Sequence, residues 1–458
     1  MVSNSKVLSY SKFIILMTVM LIFSCKENAE IFQEDESTED VEEFAFFDPD
    51  NPLNVSSCDA EDVACVFMQS DRGENNQKAS NILYSTQEIT VIPDENMEPA
   101  MYVINLDPDG FCIVSATKQI DPILAYCDEG TFDLENISPG LVTWLYEEME
   151  KIQYVRNDTS YVAPEMVASV WHKYTSINDK RRYASPNKVI QQVGLSNGPL
   201  LKTKWGQDYP YNYYAQEACP ELKVTRYLGK YPIGCVATAT AQVLKYYSYP
   251  ANKYKWEKMK DTYSVLSMMD DGAYDMAKMF IDIATWLKMK YDCKGSGAYT
   301  SDIPNILKTK FNYASGGTYQ YLSIEDAKPL VSSEILAGRP VIMDGYNYHT
   351  TKTTGKLWWK KVKDLYDGGH CWVCDGYKQL IYTTVIRLGT NSTEKYSVQY
   401  FYHMNWGWGG AGMEENYDNN GWFSFSDIEI DDPYIRDEKG EKFNFQYKRG
   451  YLTGIKAK

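Results

Sequence analysis

Two side-chain types in this sequence could together make a nucleophile. Cys235 stands in "GKYPIGCVATATAQVLKYY", residues 229–247, behind Pro-Ile-Gly and ahead of small residues compatible with a helix. A thiol attacks a carbonyl only as thiolate. A helix N-terminus and a neighbouring histidine supply the setting that favours that form. The stretch alone fits two other roles as well: a small buried residue on an apolar helix, or a disulfide partner.

The second party has few candidates, because the chain holds only four histidines: His172, His349, His370 and His403. His172 lies in a region expected at the surface, His349 follows "GYNY" in a polar loop, and His403 sits inside "QYFYHMNW". His370 differs. In "YDGGHCWVCDGYKQ" it follows two glycines and starts an alternating strand, which leaves room for substrate and holds a general base firmly. A third group must orient the imidazole. "HMNWGWGG" offers Asn405 as acceptor for the far ring nitrogen, with Trp406 beside it to screen that bond from water. "TKWGQDYPYN" offers Gln207, whose side-chain amide could join the Cys235 backbone N–H around an oxyanion.

These residues need a rigid frame, and the periodicities suggest one. From about 203 onward, helical patterns at 235–248 and 272–292 precede short strands: "RPVIMDGY", "HCWVCDGYK", "YTTVIRLG", "YSVQYFYHMNWG", "GWFSFS" and "YLTGIKA". Helices followed by antiparallel strands within one region predict an α+β domain, residues 201–458. Upstream, "EITVIP", "AMYVINL", "GFCIVSA" and "ILAYCDE" alternate with turn signals. "PGLVTWLYEEMEKIQYV" then places apolar residues at 141, 144, 145, 149 and 152. Residues 75–155 therefore read as a small α+β domain. Residues 156–200 carry Pro, Asn and Gly, with Arg181-Arg182 and several lysines, and read as a linker open to proteolytic nicking.

The amino terminus points to export. "MVSNSKVLSYSKFIILMTVMLIFSC" places Lys6 and Lys12 before the apolar run 13–23, so residues 1–24 have the form of a signal peptide. Cys25 directly after a small residue resembles a bacterial lipobox and predicts a lipid anchor there. Eleven acids against one lysine in residues 26–50 do not collapse, so 25–74 reads as a solvated acidic tether. The whole chain of 458 residues suggests two or three domains. A net charge of −16 and the lack of any basic run set aside nucleic acid as a partner. Cys58 and Cys65 are near enough in sequence to bridge. Cys371 and Cys374 form a Cys-x-x-Cys that could suggest a metal or redox site. A strand would point them to opposite faces, so neither metal nor cofactor is expected.

In order along the chain, "WGQ…PYN", "GCVATATAQVLKYYSYP", "GSGAYT", "GRPVIMDGY", "GGHCWVCDGYK" and "NWGWGG" closely resemble the streptopain family of secreted bacterial cysteine peptidases. The resemblance covers roughly 200–430. Residues 80–155 resemble the inhibitory propeptide of the same family. It implies a papain-like fold, helical part plus antiparallel sheet, preceded by a small α+β prodomain. It implies Cys235 as nucleophile, His370 as general base and acid, Asn405 and Trp406 as its supports, and Gln207 in the oxyanion hole. The expected product is an exported, lipid-anchored zymogen that acts on protein or peptide substrates and carries its prodomain as intramolecular inhibitor. Two rival readings use the same residues: a surface binding module, which the intact Cys, His, Asn and Gln argue against, and an acyl transferase working through the same thioester.

Overall fold

The computed structural model describes residues 51–75, 83–134, 137–175, 187–264, 266–354, 361–388, 391–409, 419–425 and 447–458. They divide into two compact units. One comprises the described residues up to 129 with 148–192 and 381–398; the other comprises 130–147, 193–380 and 399–458.

In the first unit, helix α1 (Ser57–Asn75) precedes an antiparallel meander of β1 (Ser85–Pro93), β2 (Pro99–Asp107), β3 (Phe111–Ser115) and β4 (Ile123–Cys127). Ser56 caps α1 by accepting from the Asp59 amide at 3.1 Å. Val63, Ala64, Phe67 and Met68 form its buried stripe, and the Phe67 ring meets Tyr126 edge-on at 4.8 Å. Helix α2 (Pro139–Asn157) contributes its second half to this unit. Helix α3 (Glu165–Thr175) buries Val167, Val170, Trp171 and Tyr174 at i, i+3, i+4 and i+7. The Trp171 indole donates to the Ile120 carbonyl at 2.7 Å. Strand β5 (Asn187–Asn197) follows.

Two expectations need correction, and one open possibility is set aside. The tether does not run to residue 74, because the acidic excess stops near 50 and an amphipathic, capped helix begins at 57. The segment 156–200 is not a plain linker, since α3 and β5 lie within it. Cys58 and Cys65 do not bridge, and Cys65 is a free thiol. Seven residues of α-helix separate them by about 10 Å along the axis, beyond disulfide reach.

The second unit stacks α4 (Cys235–Tyr247), α5 (Asp271–Trp286), α6 (Ile303–Phe311) and, after strand β6 (Ser315–Tyr321), α7 (Ile324–Leu336), with an antiparallel sheet. The sheet continues with β7 (Val341–Thr354), β8 (Lys361–Leu388), β9 (Asn391–Asn405), β10 (Gly421–Ser424) and β11 (Tyr447–Lys456), in the order β10-β9-β8-β7-β11-β6. Residues 348–354 of β7 and 361–367 of β8 pair in the far part of these strands, with Tyr348 opposite Asp367 and Thr354 opposite Lys361. The expected mixed helix and antiparallel sheet is thus present. Helix α4 is its axis: every residue from Val236 to Leu244 is buried. Ala237, Ala239 and Ala241 keep it thin enough to pack closely against its neighbours. It ends where Ser248 turns left-handed before Tyr249-Pro250.

Phe67→Ala, made in full-length Cys235→Ala protein to prevent self-cleavage, should cost about 3–5 kcal/mol of the first unit's stability. Urea unfolding followed by amide exchange measures it. An unchanged stability would mean that residues 57–75 contribute no core.

Candidate active site

Cys235 is the first residue of α4, and the turn before it is tightly constrained. Gly234 has φ 95°, where L-residues are strained. A Cβ there would lie 2.8 Å from Met289 and 2.9 Å from the Ser296 carbonyl. The loop carrying those residues is sewn down by a Cys219–Cys293 disulfide. Tyr231 packs on Tyr291 at 5.5 Å across the same seam. On the other side, the Ile233 amide donates to the Gln207 carbonyl at 3.0 Å. This bond places the Gln207 backbone beside the start of α4, and the Gln207 side chain is buried.

His370 enters on β8, paired with Gly345 of β7, while the next residue, Cys371, pairs with Asp344. The Cys235 sulfur accepts from the Cys371 and Val236 backbone amides, which puts the thiol alongside the strand that carries His370. Burial raises the Cys235 pKa to about 11 despite those two amides, and the Asp344 carboxylate adds to the rise. The His370 ring is also buried. Its Nε2 lies 3.0 Å from the Trp406 carbonyl. A carbonyl can only accept, so Nε2 carries the proton and Nδ1 is the basic nitrogen. Burial lowers the His370 pKa to about 4, against the opposing pull of the Trp406 carbonyl. At neutral pH both groups are therefore uncharged in this state, not a thiolate–imidazolium pair.

Three neighbours cause that burial. Gly140, in the first turn of α2, meets the imidazole directly: a Cβ on it would sit 2.9 Å from His370 Cδ2 and 2.9 Å from the Trp406 ring. Trp372 lies parallel to the imidazole at 6.0 Å and Trp408 meets it edge-on at 5.8 Å. Indoles on two sides and a helix turn on a third exclude water from the ring.

Asn405 departs from expectation. Its Oδ1 accepts from Gln242 Nε2 at 2.9 Å and from the Gly407 amide at 3.2 Å, and its Nδ2 donates to the Thr203 carbonyl at 2.7 Å. The expected bond to His370 is not formed in this state, because a fully buried amide spends its groups on α4 and on residue 203. Trp406 supports the imidazole through its backbone carbonyl, where the sequence suggested only an indole screen. Asn405 instead ties β9 to α4, a positioning role.

Several groups around the site escaped sequence reasoning. Gln242, two turns after Cys235, accepts from the Trp205 amide at 3.2 Å and holds Asn405. Asp208, next to Gln207, is fully buried. Burial raises its pKa to about 7, against the attraction of Arg226, whose guanidinium lies 3.7 Å away and stacks over Trp408 at 5.1 Å. A polar residue two turns along a small-residue helix was the available signal for Gln242; nothing in the spacing marked Asp208. His172 is exposed, the side chain of His349 lies outside the described residues, and buried His403 is bonded to Asp375 at 2.6 Å. Cys371 and Cys374 are free buried thiols.

The chain is similar to several known proteins. The Peptidase C10 family model matches residues 205–253 and 251–417, and the Spi protease inhibitor model matches residues 52–152. Streptopain of Streptococcus pyogenes is 25% identical over 356 residues, which cover 68% of this chain and 72% of that protein. The thiol protease/hemagglutinin PrtT of Porphyromonas gingivalis is 24% identical over 354 residues, 69% of this chain and 33% of that one. A solved fragment of prointerpain A from Prevotella intermedia is 22% identical, covers 78% of this chain and 96% of its own, and superposes with a TM-score of 0.49.

Two measurements test the geometry. Asn405→Ala should lower stability by about 2–3 kcal/mol, since it leaves Gln242 and the Thr203 carbonyl unpaired in the core. Isotope-labelled histidine in full-length Cys235→Ala protein should show one imidazole titrating near pH 4. Because the unfolded chain protonates near pH 6.5, His370 should cost stability as pH falls from about 6.5 through 4, at up to about 1.4 kcal/mol per pH unit. A His370 that titrates near 6.5 in the intact chain would contradict the buried arrangement.

Proposed function

We propose that the chain is the latent form of an exported endopeptidase whose nucleophile is Cys235, on the ground that residues 205–253 and 251–417 match the Peptidase C10 family model and residues 52–152, ahead of them, match the Spi protease inhibitor model. The observation that supports this most is the joint placement of the Cys235 sulfur against the Cys371 amide and of Gly140 against His370. Nucleophile and base stand on adjoining elements, while a turn of the inhibitor segment keeps the base dry and neutral.

In the active state, His370 Nδ1 takes the Cys235 thiol proton, and the thiolate attacks the substrate carbonyl. The oxyanion is held by the Gln207 side-chain amide and the Cys235 backbone N–H. His370 returns its proton to the leaving amine, and water then hydrolyses the thioester with His370 again as base. The Trp406 carbonyl favours the imidazolium that forms at each step, and Asn405 acts by fixing the β9–α4 junction that presents Trp406. Trp408 and Trp372 confine the ring. No metal or other cofactor enters this cycle. Residues 1–24 direct export, Cys25 carries a lipid, and the acid-rich segment after it spaces the folded units from the membrane; all of these lie outside the described residues. Activation requires that the first turns of α2 leave the site, and cleavage within 156–200 would free them.

Intact mass over time tests the proposal. Wild type should lose roughly a third of its mass, and Cys235→Ala should remain whole and inert toward a casein substrate. Gly140→Val should mature at least severalfold faster, because its side chain collides with His370 and Trp406 and weakens the inhibitory contact. Retained peptidase activity in Cys235→Ala would overturn the assignment of the nucleophile.

A further inference from the structure

The segment that leads to α4 holds a buried carboxyl group that the cycle above does not use. Asp208 is only 1% exposed. Its carboxylate accepts from the Gln207 backbone amide and from its own. The Gln207 carbonyl accepts in turn from the Ile233 amide at 3.0 Å, two residues before Cys235. The peptide groups on both sides of the Gln207 side chain are thus held, one by Asp208 and one by the approach to α4. Asp208 Oδ2 has no hydrogen-bond donor. It faces Arg226, whose Nε lies 3.7 Å away. The same guanidinium stands 5.1 Å over the Trp408 ring, and Trp408 meets the His370 imidazole edge-on at 5.8 Å. Main-chain bonds fix this turn as well: the Tyr209 amide donates to the Arg226 carbonyl at 3.1 Å, and the Asn212 amide to the Asp208 carbonyl at 2.9 Å. Tyr211 and Tyr227 are the other titratable neighbours of Asp208. Burial raises both phenols, so they stay neutral near pH 7.

We propose that Asp208, as a carboxylate, is a positioning residue for the peptidase reaction: it holds Gln207 in the oxyanion hole on one side and, through Arg226, the Trp408 wall of His370 on the other. This rests on the peptidase reading above. An oxyanion donor acts on charge that develops only in the transition state, so a displaced donor lowers kcat more than it weakens binding. The ionised acid accepts strongly from both amides and attracts the guanidinium that stacks on Trp408. Protonation removes that attraction and weakens both amide bonds. Burial raises the Asp208 pKa to about 7, against the pull of Arg226. An unfolded chain would give up this proton at about pH 4, so the folded state loses stability as pH rises between the two values. An asparagine of the same shape would carry no such penalty. A charge kept against its own burial is accounted for by what it positions.

The test measures kcat and KM of the processed enzyme on one internally quenched peptide from about pH 5 to about pH 9. Active sites are counted with an irreversible thiol-directed inhibitor, so that loss of folded enzyme is not read as loss of rate. In wild type, kcat should fall as pH drops through about 7 and Asp208 takes up its proton. Asp208→Asn should lower kcat about 10-fold or more at about pH 8 with KM within about twofold, and the acid limb near 7 should be absent from its profile. Arg226→Gln removes the opposing charge and should move the limb upward by about 1 pH unit or more. Arg226→Lys keeps the charge and should hold the limb near its wild-type position. Should Asp208→Asn fail to fold, the contrast between Arg226→Gln and Arg226→Lys decides alone. A limb at the same pH in wild type, Asp208→Asn and Arg226→Gln, whatever the change in kcat, would overturn the role of Asp208 while leaving the peptidase reading intact. Absence of Cys235-dependent cleavage would overturn both.

Discussion

A buried imidazole governs the state of this molecule. His370 is held by one hydrogen bond to the Trp406 carbonyl and is shut off from water by indoles and by Gly140 of α2. In such surroundings a charged ring is penalised, so its pKa falls while that of the half-buried Cys235 thiol rises. Neither partner can then charge the other. In the proposed latent form, the machinery for thiolate chemistry is assembled and a single turn of helix keeps it switched off by withholding solvent. Inhibition of this kind needs no residue in the nucleophile's path. It needs a residue small enough to let the helix backbone lie against the ring, and glycine meets that need.

The frame around this pair is built from a few shared bonds. Helix α4 supplies Cys235 at its first turn and Gln242 two turns later. Gln242 is bonded both to the Trp205 amide, beside Gln207, and to Asn405, beside Trp406. One helix therefore sets the spacing between the proposed nucleophile Cys235, the proposed oxyanion donor Gln207 and the Trp406 carbonyl bonded to His370. Gly234 and the Cys219–Cys293 bridge close the opposite side by pinning the 289–296 loop against the turn before Cys235. Rotation of α4 would move all three functions together, which accounts for its unbroken burial from Val236 to Leu244.

Much of this was legible in the sequence because it depends on local signals. The glycine pair before His370, the small residues after Cys235 and the alternation of strands 88–127 and 370–405 each declare their element. What stayed hidden depends on partners distant in the chain. Asn405 and Trp406 were both identified, but whether a side-chain amide or a backbone carbonyl faces the imidazole is decided by Gln242, 163 residues away. Asp208 gave no signal, since its burial comes from tertiary packing. The helix at 57–75 was masked by the acid run before it, and α3 by the Pro, Asn and Gly that follow. In both, an irregular composition next door outweighed a clear i, i+3, i+4 apolar stripe. Glu147 reads as one more surface acid in "YEEMEK"; only the fold brings it to Arg449.

The claim that Cys235 is a nucleophile held latent by the α2 segment is tested most directly with an irreversible thiol-directed peptidyl inhibitor. It would be added at neutral pH to the intact chain and to the processed enzyme, and the adduct located by peptide mass. The account predicts one adduct, at Cys235, formed rapidly in the processed enzyme and at least about 100-fold more slowly in the intact chain. Equal labelling rates in the two forms, or an adduct at Cys65, Cys371 or Cys374 in place of Cys235, would contradict it.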